Sequence, residues 1–418
     1  MKTMKKSLAT GLGLVAVTAL LAGCSSKSAD GNDAGAAGDV KTGIGISGDT
    51  MKIAAITDQS GPYAALGGTL AQGNQLYFDK RNAEGGICGY NVKLEVRDHG
   101  NDVQTAVSAF SEVEPNVLAF TQLLGSPQLS ALKAEIESKS IPTFPASWAS
   151  VFLGSDPIII TGTTYFNDII NGLSVFEEEG IISSGSKVGH VYVPGDFGEN
   201  GLKASQYYAE QQGLEIVDIM AEPAATDYSA QVQQLVDANV DAIIVSGSPP
   251  QLASIVGGTS ALGLDVPVLT QAQSFGPALL ETGAGDAIKE RVRVVTSYLP
   301  YGAEISAETA EISDAFAEAF PDSDPTIFVN YGYGSASVLG QALDAACEQG
   351  DLTREGVVSA LRSLPAVESS IFATQNFEDA AKAGSNKSVI LDVNANVPGG
   401  LVVERDFFES DLVVEYTE

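Results

Sequence analysis

The chain has 418 residues, 44% of them hydrophobic, and a formal net charge of −31. That length is enough for two lobes with cores of their own. A field of that sign repels nucleic acid and anionic headgroups, which argues against a nucleic-acid partner. The acidity fits a salty or acidic habitat and a lineage habit equally.

The chain opens on Lys2, Lys5 and Lys6, runs through an uncharged apolar stretch, and reaches Leu21-Ala22-Gly23-Cys24. This is the pattern of a signal peptide over residues 1–23 that ends in a lipobox. The apolar run is too short to span a bilayer comfortably. The mature protein is therefore expected to start at a lipid-modified Cys24, tethered to a bacterial membrane on its outer side. Without the three lysines, 19 basic residues stand against 53 acidic ones, a net −34. Residues 24–49 are mostly Ser, Gly, Ala and Asp and read as a flexible tether. Gly43-Ile44-Gly45-Ile46-Ser47-Gly48 matches a dinucleotide fingerprint in letters only, because it precedes the first strand instead of following one. Cys88 and Cys347 remain, and in an exported protein an even remainder points to a disulfide.

From residue 51 the pattern alternates. Strands are expected at 51–56, 92–97, 117–121, 158–161, 188–193, 214–219, 242–245, 266–270 and 292–296. Helices are expected through Gln72, Leu76 and Lys80, then at 103–113, 128–138, 165–179, 202–212, 230–238, 251–262, 307–320 and 329–348. Residues 401–408 and 411–416 read as two antiparallel strands. The strand runs are short and apolar, as parallel strands buried on both faces require. This is α/β alternation with right-handed crossovers.

Ligands in open α/β sheets bind past the carboxyl ends of the strands. Those positions hold Asp58-Gln59-Ser60-Gly61-Pro62-Tyr63, Leu124-Gly125-Ser126-Pro127 and Pro145-Ala146-Ser147-Trp148-Ala149. In the second half they hold Gly195-Asp196-Phe197-Gly198-Glu199, Ser246-Gly247-Ser248-Pro249 and Gln271-Ala272-Gln273-Ser274. Backbone N–H groups and small side chains at such turns can hold a carboxylate without Arg or Lys. Singly, each residue is ordinary turn chemistry. Trp148, the one tryptophan, can wall a ligand or belong to the core or a lid.

Ser60-Gly61-Pro62, the stretch Asn82-Ala83-Glu84-Gly85-Gly86-Ile87-Cys88-Gly89, the Gly195-Asp196-Phe197-Gly198 loop and Thr226-Asp227-Tyr228-Ser229-Ala230 are similar to the leucine/isoleucine/valine-type, or branched-chain amino acid, solute-binding proteins of ABC transporters. The resemblance runs from about Met51 to the C-terminus. It implies a type I periplasmic-binding-protein fold: two Rossmann-like lobes with parallel sheets, joined by a three-strand hinge. Residues 50–162 and 298–360 would form lobe 1, and 163–297 and 361–418 lobe 2. It further implies that Ser126, Ala146 and Ser147 hold a ligand carboxylate, that Phe197 closes from the second lobe, and that Tyr331 stands near the hinge. Ser60, Tyr63, Trp148, Ser248 and Gln273 complete the expected ligand-binding set. Leu66 stands where the family has its first-loop aromatic.

Gln273 departs from the resemblance, which implies a carboxylate there to pair with a ligand ammonium. A buried ammonium without an anion is costly. Either Asp196 or Glu199 takes that role, or the ligand is not an α-amino acid. No catalytic motif is present: His99 and His190 lack metal-ligand spacing, and no P-loop, H-E-x-x-H or G-x-S-x-G occurs. Asn386-Lys387-Ser388 fits a glycosylation sequon by chance. The expectation is a monomeric, non-enzymatic, extracytoplasmic receptor without cofactor. It would deliver a branched-chain amino acid, an amino-acid-like amide or a small acid to ABC permease subunits; the alternative is a sensory receptor subunit on the same fold.

Overall fold

The computed structural model describes residues 40–413, apart from 223–224, 226 and 304–306. Cys24, the signal segment, residues 24–39 of the expected tether, and Thr226 lie outside the described residues.

Apolar runs buried on both faces set the first sheet. After β1 (Lys41–Thr42) and β2 (Ile46–Ser47) come β3 (Thr50–Thr57), α1 (Ala64–Ala83), β4 (Asn91–Asp98), α2 (Val103–Val113), β5 (Ala119–Leu124), α3 (Ser126–Ser138) and β6 (Thr143–Ala146). β4, β3, β5 and β6 are parallel neighbours. β5 begins two residues later than its apolar run suggests. The Arg354 guanidinium takes the carbonyls of Glu114 and Val117 and pairs with the Glu114 carboxylate, which holds that entry as a turn.

The second sheet grows in the same way from α4 (Tyr165–Glu178), β7 (Lys187–Tyr192), α5 (Asp196–Gln212), β8 (Glu215–Met220), α6 (Ser229–Ala238), β9 (Ala242–Ser246), α7 (Pro249–Ala261), β10 (Val268–Gln271), α8 (Gly285–Arg291) and β11 (Val292–Thr296). The chain then returns to the first lobe as α9 (Ala307–Ala319), α10 (Phe328–Glu348), β12 (Asp351–Leu352) and α11 (Arg354–Arg362). There α10 lies against α1. Asn74 donates to Gly332 O at 2.7 Å, and both guanidinium nitrogens of Arg81 reach Asp344 at 2.9 Å. Cys88, in the turn after α1, is bonded to Cys347 at the end of α10, with Cα atoms 6.2 Å apart. Finally β13 (Ser388–Val393) and β14 (Leu401–Phe408) complete a seven-stranded sheet in the order β14-β13-β11-β10-β9-β7-β8. β13 and β14 are antiparallel to their neighbours and the other five strands are parallel. This is the expected α/β fold with mostly parallel sheets.

Several local expectations are displaced. Residues 40–49 are not tether: β1 pairs in parallel with β12, and β2 forms a hairpin with β3. Ile46 packs on the core, and Gly45 and Gly48 supply the positive φ, 89° and 62°, that the hairpin needs. A Ser/Gly-rich composition hides such an anchor. At the other end, the partner of β14 is Ser388–Val393, an apolar run beside the sequon. Residues 411–413 form a turn, and 414–416 lie outside the described residues. Residues 158–161 make a single bridge, Ile158 to Thr143, because the chain there leaves the first sheet to cross over.

Three connections cross between the lobes side by side, as bent and extended chain rather than paired strands. Gly162, on the first, accepts from Ser385 N of the third at 2.8 Å. At φ 79°, its missing Cβ leaves the room that Ser297 Oγ of the second occupies. The third crossing lies near Ser385 and not at residue 361. Arg362 donates to Asp156 O and Phe377 O, and Gly154 N donates to Ala380 O, which holds the intervening segment on the first lobe.

Candidate functional site

The loops after β3, β5 and β6 face those after β7, β9 and β10 across one cavity of about 150 Å³. The Asp58 carboxylate shapes the first loop by accepting from the N–H groups of Ser60, Gly61 and Tyr63 at 3.2, 2.6 and 3.0 Å. This presents Tyr63 to the cavity. Ser60 is turned away, its hydroxyl donating to Asp98 at 2.7 Å, so it does not line the cavity.

Ser126 opens α3, the first turn of which carries no acidic side chain, and it lines the cavity with Ala146. Ser147 stands behind it, fully buried, with the two hydroxyl oxygens 2.6 Å apart. Trp148 is both wall and core. Its indole N–H donates to Thr161 O at 3.1 Å while its ring faces the cavity. Tyr331 supports it from behind, with ring centroids 4.8 Å apart and its hydroxyl tied to Thr161 and Pro145 O. Tyr331 does not line the cavity.

Phe197, just inside the start of α5, packs at 4.7 Å against Tyr165. Tyr165 lines the cavity although it lies outside the expected set. The available signal was an aromatic at the first position of the helix that follows the crossing. Burial pushes the Tyr165 phenol up, against smaller opposing effects of the Trp148 backbone and Ser126. Burial, then Asp58 and Tyr228, push the Tyr63 phenol up. Both phenols are neutral hydrogen-bonding groups at physiological pH.

Ser248 caps α7, and its N–H donates to Gln251 Oε1 at 2.6 Å. That bond fixes the amide and leaves Gln251 Nε2 buried without a protein partner; Gln273 Oε1 is likewise unpartnered. Both residues line the cavity. Each buried orphan costs about 1–3 kcal/mol until something bonds it. Among the described residues lining the cavity, Asp196 is the one carboxylate, and none is Lys, Arg or His. Asp196 is half-buried and accepts from Ser130 Oγ at 2.6 Å across the cleft. Glu199 is exposed, accepts from Gly195 N, and does not line the cavity. The site therefore offers donors and acceptors on an apolar wall, with no anion committed to an ammonium. Among the described residues no three His, Cys, Asp or Glu side chains are grouped to hold a metal ion, and no helix is long and apolar enough to cross a membrane.

Residues 50–398 match the model of a family described as periplasmic binding protein. A solved structure described as a fatty acid ABC transporter substrate-binding protein from Thermomonospora curvata is 38% identical. It aligns with 90% of this chain and 96% of its own at a TM-score of 0.87. A branched chain amino acid ABC transporter protein from Thermus thermophilus with bound valine is 22% identical, over 88% of this chain and 98% of its own, at a TM-score of 0.74. A leucine binding protein from Thermotoga maritima is 20% identical, over 86% and 99%, at 0.69. The last two show likeness of fold. The chain matches none of the curated protein sequences.

Proposed function

The chain belongs to the periplasmic binding protein family and has its solute-binding role; we propose that its solute is a carboxylic acid with an apolar body, held between the lobes and delivered to an ABC permease. The observation that carries this reading is the wall of the cleft. It is apolar, lacks any cation, and sets the neutral amides of Gln251 and Gln273 where an α-amino acid would call for a committed carboxylate. The acid head would sit against Ser126 and the first turn of α3, where free N–H groups favour an anion. Gln251 Nε2 supplies a further donor. Leucine and valine would leave their ammonium facing Asp196, which is shared with Ser130 and only half-buried. The fatty-acid description of the Thermomonospora curvata protein, the relative at 38% identity, agrees with this choice.

The receptor is proposed to bind rather than turn over its ligand, and to act as a monomer. The ligand stabilises closure of two lobes about the three crossings. The lipobox supports a chain anchored through Cys24 outside the membrane. Cys24→Ala should release the protein or hold it as precursor, and wild-type lipid labelling of that variant would refute the anchor.

Trp148 makes the ligand test direct, because the one tryptophan of the chain lies on the cavity wall. Titrating lipid-stripped full-length protein with dodecanoate should change its fluorescence saturably, with leucine and valine weaker by at least tenfold. Tighter binding of leucine than of any fatty acid would overturn the proposal.

A further inference from the structure

The cleft does not end at its own far wall. Pro62, Tyr63 and Leu66 line both it and a second, open cavity of about 580 Å³. The second cavity lies between the starts of α1 and α10 on one side, and the segment after β10 with the β13–β14 turn on the other. Phe275, Leu279, Leu280, Phe328 and Val397 give it an apolar lining. Its charged residues are Glu281 and Asp324, both acidic and both exposed; among the described residues, no Lys, Arg or His lines it.

We propose that this second cavity holds the hydrocarbon tail of the ligand whose carboxyl head lies at Ser126, with Tyr63 and Leu66 forming the passage between them. The proposal rests on the reading of the cleft as a carboxylic-acid site. Continuity is the first argument, since a chain leaving the cleft past Leu66 enters an apolar space and not water. Size is the second. About 150 Å³ falls short of the roughly 300–1,000 Å³ usual for a small-molecule site, and the two cavities together reach it. Charge is the third. The first cavity carries one carboxylate, Asp196, already bonded by Ser130, against Glu281 and Asp324 in the second, so the head is favoured at Ser126 with the tail outward. The physical consequence is selection by chain length, because each methylene drawn into an apolar space tightens binding about fourfold.

The test is a series of saturated acids from hexanoate to hexadecanoate, titrated calorimetrically into full-length, lipid-stripped protein. A Gly276→Phe variant is measured alongside wild type. Gly276 lines the second cavity and not the first, its φ of −154° suits any residue, and an added Cβ meets nothing within 4 Å. Wild-type affinity should rise about fourfold per methylene to a plateau among the longer acids. Gly276→Phe should retain wild-type affinity for hexanoate, which also reports its folding, and lose at least tenfold for hexadecanoate. Should the variant not fold, the wild-type series decides: equal affinity for hexanoate and hexadecanoate overturns the tail chamber. So does a folded Gly276→Phe that binds long acids as wild type does, the result expected if a second copy or the permease occupies the groove. Absence of saturable binding at every chain length would instead overturn the reading of the cleft itself.

Discussion

Ser126 and Ser147 share a 2.6 Å hydrogen bond at the floor of the cleft, and only Ser126 reaches the cavity. Under the proposed carboxylic-acid reading, Ser126 would contact the ligand and Ser147 would support it. Ser126→Ala removes a hydroxyl that can donate directly to a carboxylate and should weaken dodecanoate binding tenfold to a hundredfold, the worth of about 1.5–3 kcal/mol for a bond to a charged group. Ser147→Ala removes only the support and should cost less than about threefold, a few tenths of a kcal/mol at that distance from the ligand. Trp148 fluorescence titration checks both. A larger loss in Ser147→Ala than in Ser126→Ala would reverse the assignment.

Gln273 is a neutral lining residue of the cleft. Gln273→Glu places an anion on the wall that the ligand carboxylate faces, and should weaken dodecanoate at least tenfold, about 1.4 kcal/mol. The same change supplies the missing partner for an ammonium, so leucine should bind the variant better than it binds wild type. Competition between the two ligands reads both effects. Unchanged preference would mean that residue 273 does not face the head of the ligand.

The Cys88–Cys347 bond closes a loop of 259 residues and ties the turn after α1 to the end of α10. Replacing both cysteines with alanine should cost about 5–6 kcal/mol in the chain-entropy account. Denaturant unfolding of the oxidised wild type, the reduced wild type and the double variant should place the last two together. Identical midpoints for all three would show that the bond adds nothing to stability.

Asp168 lies buried in α4 with its carboxylate accepting from Ser388 Oγ at 2.7 Å. Burial pushes it up to about 7, against the smaller pull of the Ser388 bond. The native chain thus keeps a proton that the unfolded chain loses near pH 4. This contribution is fully present below that pH and is lost as pH rises through 7, for a total of about 4 kcal/mol. Asp168→Asn carries no such dependence, so its melting temperature relative to wild type should climb steadily from pH 4 to pH 7. His190, which burial holds down to about 3, works in the opposite sense below pH 6.5 but is common to both proteins and cancels. A constant difference across that range would mean that Asp168 titrates normally.

Strand and helix type were legible in the sequence wherever the pattern was local. The run from Ala242 to Val245 is apolar because β9 is covered on both faces, and no other chain partner is needed to see it. The loops after those strands were legible for the same reason: topology alone puts Tyr63, Ser126, Ala146, Trp148, Phe197, Ser248 and Gln273 on one cavity. What the sequence left open is which way a side chain turns inside a loop. Ser60 belongs to Asp98, and Ser147 to Ser126, through bonds 38 and 21 residues apart that no local pattern encodes. Tyr331 reaches the site only through Trp148, from a helix 183 residues later in the chain.

The anchoring of Lys41–Thr42 beside Asp351–Leu352 and the late β13 were decided in the same way, by partners far off in the chain. Composition and periodicity therefore determined the α/β architecture and the sheet edge whose loops line the cavity. Tertiary structure decided which residues on that edge line the cavity, that Asp196 among them is bonded by Ser130, and that Pro62, Tyr63 and Leu66 also line a second cavity. The reason is physical: burial periodicity is written along the chain, whereas the direction of a loop side chain is fixed by the hydrogen bond it finds across it.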